Sequence, residues 1–224
     1  MTNSNSSNSP YILEMRNVSK TFPGVKALDQ INLRVKRGSV HALMGENGAG
    51  KSTLMKILYG IYIPDEGGEL ILDDKPFKPG RPIDAIRRGL TMVPQEISPA
   101  ANLTIADNFY LGREITKGKF FLNQKAMNEQ ASAILKELGV PMDVTEKMSD
   151  VSVAKAQLVA IATAVSNDAK VIIMDEPTTA LTENEVDQLY RIIETVKARG
   201  IAIIFISHKL DEVFRVSDEI TVIR

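Results

Sequence analysis

The feature that most constrains how this chain can fold is a glycine-rich loop, GENGAGKST at 45–53, between a buried-strand pattern and a helical pattern. The loop matches the pattern G-x-x-x-x-G-K-[S/T]. Gly45, Gly48 and Gly50 can adopt positive φ angles and let the backbone approach a ligand closely. Successive N–H groups at the start of a helix form a nest that binds anions. The loop therefore predicts a binding site for the phosphate groups of a nucleotide.

Three side chains at the end of the loop suit such a site. Lys51 is a compact cation that can reach the β- and γ-phosphates, Ser52 supplies a hydroxyl ligand for Mg²⁺, and Thr53 adds a polar contact. The alternative is a chance match, which average residue usage gives in roughly one random chain in a hundred. The loop residues predicted to bind the nucleotide are Gly45, Asn47, Gly48, Ala49, Gly50, Lys51, Ser52 and Thr53.

The composition excludes several other functions. The 224 residues carry 27 Lys and Arg against 28 Asp and Glu, and this net charge of −1 argues against a surface built to hold nucleic acid. The absence of cysteine excludes thiol catalysis, disulfides and Cys-ligated zinc, and two histidines argue against a His-rich metal site. No apolar run approaches the ~20 residues that span a bilayer. The Asn- and Ser-rich start at 1–10 predicts a flexible tail and not a signal peptide, so the expected compartment is the cytoplasm.

Two kinds of strand pattern indicate two sheets. Apolar and polar residues alternate at 11–22, 28–35 and 69–72, which predicts half-exposed antiparallel strands. Other runs are short and almost continuously apolar, which predicts strands buried on both faces of a parallel sheet. Helical patterns lie between them, so right-handed crossover connections are expected. These apolar runs are 39–45, 90–94, 170–177, 201–208 and 219–224.

Helical patterns define the rest of the organisation. The apolar spacing after Thr182 predicts a helix that begins with a capping box to Glu185 and stops at Gly200. A second amphipathic helix is predicted at 126–138. Strand patterns disappear between 98 and 150, which predicts an inserted helical subdomain at 98–150.

The predicted fold class is α/β: a P-loop NTPase with a parallel-sheet core, an antiparallel β subdomain and an inserted α-helical subdomain. The nucleotide-binding core with its β subdomain is assigned to 11–97 and 151–224, after the tail. The sequence stops at Arg224 inside a strand-like run, so the chain is expected to be one domain of a longer protein.

A pair of acidic residues follows one of the buried strands. The run VIIMDE at 171–176 ends in this pair, and the carboxyl ends of parallel strands share the sheet edge that carries the glycine-rich loop. Asp175 is predicted to hold Mg²⁺ through water, and Glu176 to polarise an attacking water as a general base. Alone, such a pair more often starts a solvated loop, but together with the glycine-rich loop it favours the catalytic interpretation.

The motifs and their spacing closely resemble those of the ATP-binding cassette family, and the resemblance runs from about Leu13 to Arg224. It implies an ATPase that uses Mg²⁺. The segments that carry it are GENGAGKST (45–53) as Walker A, MVPQE (92–96) as the Q-loop, VIIMDEP (171–177) as Walker B, TTALT (178–182) as the D-loop and FISHKLDE (205–212) as the switch region.

The resemblance implies roles for four further residues. Gln95 is expected to ligate Mg²⁺ or position water, and His208 to donate a hydrogen bond to the γ-phosphate. Phe22 matches the position that stacks on adenine, with Val25 nearby. The alternatives are an ordinary loop histidine at 208 and a core residue at Phe22. His41 lies inside a predicted strand and is interpreted as structural.

The family's signature, usually L-S-G-G-Q, is altered here to VSVAK at 151–155. Ser152 is kept, is predicted to bind nucleotide, and is a good helix N-cap. Val153 and Ala154 replace both glycines, and Lys155 replaces the glutamine, so β-carbons occupy the place where the backbone would approach phosphate. Either this signature works weakly, or it belongs to the impaired half of an asymmetric pair of sites.

Within the family, the chain resembles the first cassette of the tandem ATPase subunits of bacterial monosaccharide importers of the ribose, galactose or xylose type. This implies a second cassette in the same polypeptide, transmembrane permease subunits as partners, a periplasmic sugar-binding protein as an indirect partner, and no nucleic acid. The expected location is the cytoplasmic side of the inner membrane, as a peripheral subunit. The segments that carry this resemblance are 17–29, 41–56, 152–154 and 173–186.

Two alternatives from other functional classes remain. A cassette ATPase that acts on DNA would hold a long coiled coil between its halves, whereas about fifty residues without long heptads separate Gln95 from the signature. A regulatory sensor that binds nucleotide without hydrolysis is favoured by the altered signature, while Glu176 and His208 favour an active enzyme.

Overall fold

A computed structural model describes residues 9–118 and 121–224, so most of the predicted tail at 1–10 lies outside the described residues. The strands are β1 Tyr11–Phe22, β2 Val25–Lys36, β3 Val40–Gly45, β4 Glu69–Leu72, β5 Lys75–Pro76, β6 Leu90–Val93, β7 Thr116–Lys117, β8 Phe121–Leu122, β9 Val171–Asp175, β10 Ala202–Ile206 and β11 Glu219–Ile223. The α-helices are α1 Lys51–Leu58, α2 Pro82–Arg87, α3 Ile105–Tyr110, α4 Gln124–Glu137, α5 Val153–Ser166, α6 Glu183–Ala198 and α7 Leu210–Val216, and a short 3₁₀ helix is Met148–Asp150.

The central sheet has five parallel strands in the order β11-β3-β10-β9-β6. Each of the predicted continuous apolar runs forms one of these strands, which confirms the predicted parallel core. Strand β10 is buried at every position, because helices or the second sheet cover both faces of the central sheet. The parallel direction brings the residues that follow β3, β6, β9 and β10 to one edge.

The second sheet is antiparallel, as predicted, with the order β2-β1-β4-β5. Its apolar face shares one buried cluster with α1 and the central sheet. Leu13 in β1 and Val35 in β2 belong to this cluster together with Leu54 in α1 and Ile204 in β10. Helix α1, which follows the glycine-rich loop, is therefore held by the apolar residues of both sheets.

Helices α5 and α6 cover the other face of the central sheet, where Ile161 and Ile192 join a buried cluster with Phe205 of β10. The predicted capping box of α6 is present, because the Thr182 backbone N–H donates to Glu185 Oε2 over 2.9 Å. Among the described helices, none is long and apolar enough to cross a lipid bilayer.

The segment at 98–150 contains α3, α4 and the 3₁₀ helix, and an isolated antiparallel bridge between Thr104 and Lys147 joins two of its parts. It also contains the short antiparallel strand pair β7 and β8, although strand patterns disappear from this part of the sequence. Strands of two residues are too short to show an alternating pattern. The division of the chain into a core and a helical subdomain stays a prediction; one cluster of buried residues continues from α3 and α4 into α5 and α6.

Candidate functional site

The glycine-rich loop connects β3 to α1, and Lys51 is the first residue of α1. Gly48 and Gly50 have φ angles of 89° and 99°, in the region that favours glycine. A Cβ at Gly50 would lie 2.6 Å from the carbonyl oxygen of Ala27 and from Cδ2 of Leu28. Glycine is therefore required at position 50 both by the backbone conformation and by the close approach of β2.

Most of the predicted site residues line one cavity of about 240 Å³ at the carboxyl edge of the central sheet. The loop and the start of α1 form one wall, and the ends of β6 and β9 form the other. Gly45, Ala49 and His208 line an adjoining cavity that shares two of the loop residues. The residues of the first cavity are Asn47, Gly48, Gly50, Lys51, Ser52, Thr53, Gln95, Asp175 and Glu176.

Lys51 is a buried cation in this cavity, with 9% of its surface exposed. Its Nζ donates to the carbonyl oxygens of Gly45, at 2.6 Å, and Glu46, at 3.0 Å. In the part of the chain that the structure describes, no carboxylate lies within ion-pair distance of this ammonium group. A buried charge without a counterion is unfavourable, so the site favours an anionic ligand such as phosphate.

Asp175, the last residue of β9, faces the same cavity. Burial and then the negative charge of Glu176 raise the pKa of Asp175, whereas the charge of Lys51 acts to lower it. A bound cation would stabilise the ionised carboxylate. Ser52 and Gln95 line the same cavity, and carboxylate, hydroxyl and amide oxygens are ligands that Mg²⁺ accepts. The residues present therefore fit a Mg²⁺ ion beside a phosphate group.

Glu176 has a φ angle of 43°, in the left-handed region that few residues other than glycine adopt. Its backbone N–H donates to the Ile206 carbonyl oxygen at 2.9 Å, next to the paired residues Ile206 and Asp175 of β10 and β9. Glu176 Oε1 lies 2.9 Å from His208 Nδ1. The sequence predicted that Glu176 and His208 face one crevice, but it did not predict their contact. That contact follows from the register between strands β9 and β10.

Phe22 and Val25 do not line the cavity. They are paired at the turn between β1 and β2, where Val25 is exposed and Phe22 is half-buried. The Phe22 ring makes an edge contact with Tyr62, with ring centroids 5.2 Å apart. No motif marks Tyr62, so its contact with Phe22 could not be predicted from the sequence. The β1–β2 turn and Tyr62 together form an aromatic surface. Strand β2, which begins at this turn, approaches Gly50.

Ser152 lies apart from the cavity as well. It is the N-cap of α5, where its hydroxyl oxygen accepts a hydrogen bond from the Lys155 backbone N–H over 3.3 Å, so its predicted capping role is confirmed. Its neighbours Val151 and Val153 line a separate cavity of about 510 Å³, which also includes Gln95 and Glu176. The neighbours of Ser152 therefore share a cavity with Glu176, whereas Ser152 does not line the cavity at the glycine-rich loop.

His41 is buried inside β3 and lines none of the three cavities described above. Its Nε2 lies 2.8 Å from Thr221 Oγ1 of the neighbouring strand β11, and burial lowers its pKa despite the nearby Glu219. A histidine bonded between two central strands is consistent with a structural role.

Residues 28–179 match the ABC transporter family. The chain is 50% identical over 215 residues to a putative ribose/galactose/methyl galactoside import ATP-binding protein of Geobacillus kaustophilus, with 96% of this chain and 42% of the relative covered. It is 49% identical over 217 residues to the galactose/methyl galactoside import ATP-binding protein of Fusobacterium nucleatum, with 97% and 43% covered. The chain thus spans less than half the length of these curated relatives.

Solved structures give the same family. The chain superposes on an ATP-binding cassette of an ABC transporter in its ADP conformation with a TM-score of 0.84 and 28% identity, covering 96% of this chain and 88% of that one. A protein from Clostridium perfringens that is part of an ABC transporter complex gives a TM-score of 0.81 and 26% identity, with 96% and 86% covered. Because the family match covers more than half of the chain, this protein belongs to the ABC transporter family and is one of its ATP-binding cassettes.

Proposed function

We propose that the chain binds ATP with Mg²⁺ in the cavity at the carboxyl edge of the central sheet and hydrolyses it. The observation that carries this proposal is the meeting of Lys51, a buried ammonium group that forms no ion pair among the described residues, and Asp175, a half-buried carboxylate, in one cavity with a glycine-rich backbone. The cation suits phosphate oxygens, and the carboxylate suits a metal ion. Burial of the ammonium group would be costly if the cavity had no such ligand.

When ATP binds, Lys51 is expected to exchange its hydrogen-bond partners in the loop. Lys51 Nζ would turn from the carbonyl oxygens of Gly45 and Glu46 to the β- and γ-phosphates, while the loop N–H groups donate to the other phosphate oxygens. Ser52, Gln95 and, through water, Asp175 would hold Mg²⁺, which neutralises phosphate charge when bound.

Glu176 is proposed to act as the general base. It would accept a proton from a water molecule while the water oxygen forms a bond to the γ-phosphorus, and the bond from γ-phosphorus to the bridging oxygen breaks. The bond's electron pair leaves with ADP. The imidazole of His208 contacts Glu176 through Nδ1, and its Nε2 is proposed to donate a hydrogen bond to the γ-phosphate.

The adenine is assigned to the surface formed by Phe22, Val25 and Tyr62. Val25 lies two residues before Ala27, whose carbonyl oxygen approaches Gly50, and Phe22 pairs with Val25 and contacts Tyr62. Stacking on one aromatic ring contributes ~1–3 kcal/mol in nucleic-acid complexes and accepts any base. Weak discrimination between ATP and GTP is therefore expected.

Import of a monosaccharide is the proposed use of the hydrolysis. The support comes from the two curated relatives, whose names give ribose, galactose or methyl galactoside import, at about 50% identity. These relatives are more than twice as long as the matched region, which leaves room for the second cassette that the resemblance implies. Permease subunits would then hold the protein at the cytoplasmic face of the inner membrane, with a periplasmic sugar-binding protein as an indirect partner.

A second candidate is a cassette that binds ATP but hydrolyses it poorly and serves as a regulator. Val153 and Ala154 favour it, since their β-carbons occupy the start of α5, where the family has glycine. Ser152 keeps its place at the N-terminus of α5 and would contact the nucleotide of a second cassette in either case. Release of phosphate by the assembled protein distinguishes the two candidates, because the regulator releases almost none.

Calorimetric titration of the full-length protein with ATP and MgCl₂ tests the proposal. Lys51→Ala should weaken binding at this site about 10- to 100-fold, the equivalent of one lost hydrogen-bonded charge. Lys136→Ala, which removes an exposed lysine of α4, is the matched control and should bind as the unmodified protein does. Equal affinity in the Lys51 and Lys136 variants would overturn the proposal.

A further inference from the structure

Glu212 is a buried carboxylate on α7 that the proposed reaction does not use. Only 9% of its surface is exposed. Thr178 Oγ1 donates to it and lies 2.8 Å from each carboxylate oxygen, and Ser207 Oγ donates to Oε2 over 2.9 Å. Lys209 Nζ lies 2.9 Å from Oε1. The carboxylate therefore joins one donor from the loop after β9 to two donors from the loop after β10.

The two hydroxyl donors come from the loops that carry the proposed catalytic pair. Thr178 lies two residues after Glu176, in the loop that follows β9, and Ser207 lies one residue before His208, in the loop that follows β10. Both hydroxyl residues are buried. Glu212 thus connects the two loops within two residues of Glu176 and one residue of His208.

The two hydroxyl groups and the carboxylate of this network are buried, whereas the side chain of Lys209 is half-exposed. The Ser207 hydroxyl donates to Glu212 and accepts from the Lys209 backbone N–H over 3.1 Å, so its own polar atoms are satisfied. Burial alone would raise the pKa of Glu212, but hydrogen bonds from Lys209, Thr178 and Ser207 outweigh this effect and lower it. Hydrogen bonds to an ionised group are stronger than hydrogen bonds between neutral groups. A buried donor that loses such a partner lowers the stability of the folded protein.

We propose that Glu212 is a positioning residue of the ATPase site, which holds the loops after β9 and β10 together and so fixes Glu176 Oε1 against His208 Nδ1. This inference rests on the proposed function. Without the carboxylate, two buried hydroxyl groups lose their acceptor and the loops shift to find other partners. The catalytic pair then loses its 2.9 Å contact.

The proposed role of Glu212 affects catalysis but not the binding of the nucleotide. The phosphate-binding loop and Lys51 belong to β3 and α1, and none of the hydrogen bonds of Glu212 reaches them. A displacement of about 1 Å at catalytic groups can lower a rate about 100-fold. Loss of Glu212 should therefore lower kcat and leave nucleotide affinity unchanged.

Kinetics of ATP hydrolysis by the full-length protein test the inference. Glu212→Ala should lower kcat by about 10- to 100-fold, with KM and the binding stoichiometry for ATP unchanged. Glu212→Gln should recover most of the rate, because an amide of the same size can still bond both hydroxyls. Glu194→Ala, which removes an exposed acidic residue of α6, is the control and should leave kcat unchanged.

Two further variants keep the test decisive if Glu212→Ala does not fold. Thr178→Val and Ser207→Ala each free one loop, and each should lower kcat at constant ATP affinity. Unchanged kcat in these two variants, or a fall in binding stoichiometry that accounts for all the lost activity, would overturn the inference. Hydrolysis by the unmodified protein and its loss in Glu176→Gln would still support the proposed function, so the two failures are distinguishable.

Discussion

His208 Nδ1 lies 2.9 Å from Glu176 Oε1, and the two residues follow the neighbouring parallel strands β10 and β9. The carboxylate side chain is 18% exposed and the imidazole is 57% exposed. The proposed base is therefore fixed inside the crevice, while its partner can meet a ligand from the solvent side. The pair is formed by the fold of this chain alone.

Glu176→Gln should abolish steady-state ATP hydrolysis and preserve ATP binding. A general base contributes about 10²- to 10⁴-fold to a rate, and the amide cannot take the proton from water. The rate of phosphate release from the assembled transporter measures the effect. Glu183→Gln, at the exposed start of α6, is the control and should retain full activity. Normal turnover by the Glu176 variant would refute its role as base.

The sequence predicted the phosphate loop and the central sheet because both are encoded locally. A run such as 201–208 is apolar at almost every position, and only a strand covered on both faces accommodates it. The loop at 45–53 likewise carries its glycines and its lysine within nine consecutive residues. The predicted parallel direction then brought Gln95 and Asp175 to one cavity.

Other parts of the site could not be predicted because they depend on contacts between distant segments. The contact of Phe22 with Tyr62 and the network of Glu212 with Thr178 join residues that no motif relates. The positive φ angle of Glu176 could not be predicted either, since glycine or asparagine usually occupies a position with this backbone conformation.

Gly50→Ala should destabilise the protein more than Gly24→Ala. Both glycines have positive φ angles, of 99° and 82°, so each alanine costs about 1–2 kcal/mol in backbone strain. Only at Gly50 would the new Cβ meet backbone and side-chain atoms of β2, which adds about 1–3 kcal/mol. Urea unfolding of the two variants measures the difference. Equal free energies of unfolding would show that β2 does not confine the loop.

Asp73 should make stability depend on pH in acid. It lies in the turn after β4, where hydrogen bonds from Lys170, at 2.6 Å, and from Arg37, at 2.7 Å, lower its pKa from 3.8 to about 2. Because the folded-state pKa is below the unfolded value, the stabilisation is complete above pH ~4 and is lost as the pH falls towards 2. The urea midpoint of the unmodified protein should therefore fall across this range.

The Asp73→Asn variant isolates the contribution of Asp73 to the pH dependence of stability, since all other carboxyl groups are the same in the variant and in the unmodified protein. The variant should be less stable at pH 5 because Arg37 and Lys170 lose their shared carboxylate. As the pH falls from 4 to 2, the difference between the two urea midpoints should shrink. A difference that stays constant over this range would contradict the depressed pKa.

Val153→Gly with Ala154→Gly should raise ATP turnover in the assembled complex at the site that uses this signature. The side chain of Val153 is exposed at the start of α5, so its removal opens the helix N-terminus to phosphate. One regained hydrogen bond to a charged group corresponds to about a tenfold change. Ala154 is buried, and glycine there costs about 1 kcal/mol in helix stability.

The Val153→Ala variant distinguishes the effect of side-chain bulk on ATP turnover from the effect of the β-carbon itself. It keeps a Cβ at position 153, so turnover should stay near that of the unmodified protein, while the double glycine variant exceeds both. Phosphate release under saturating ATP and substrate gives the three rates. If the double variant turns over no faster than the unmodified complex, then the β-carbons at 153 and 154 do not limit hydrolysis, and the altered signature is neutral for the rate.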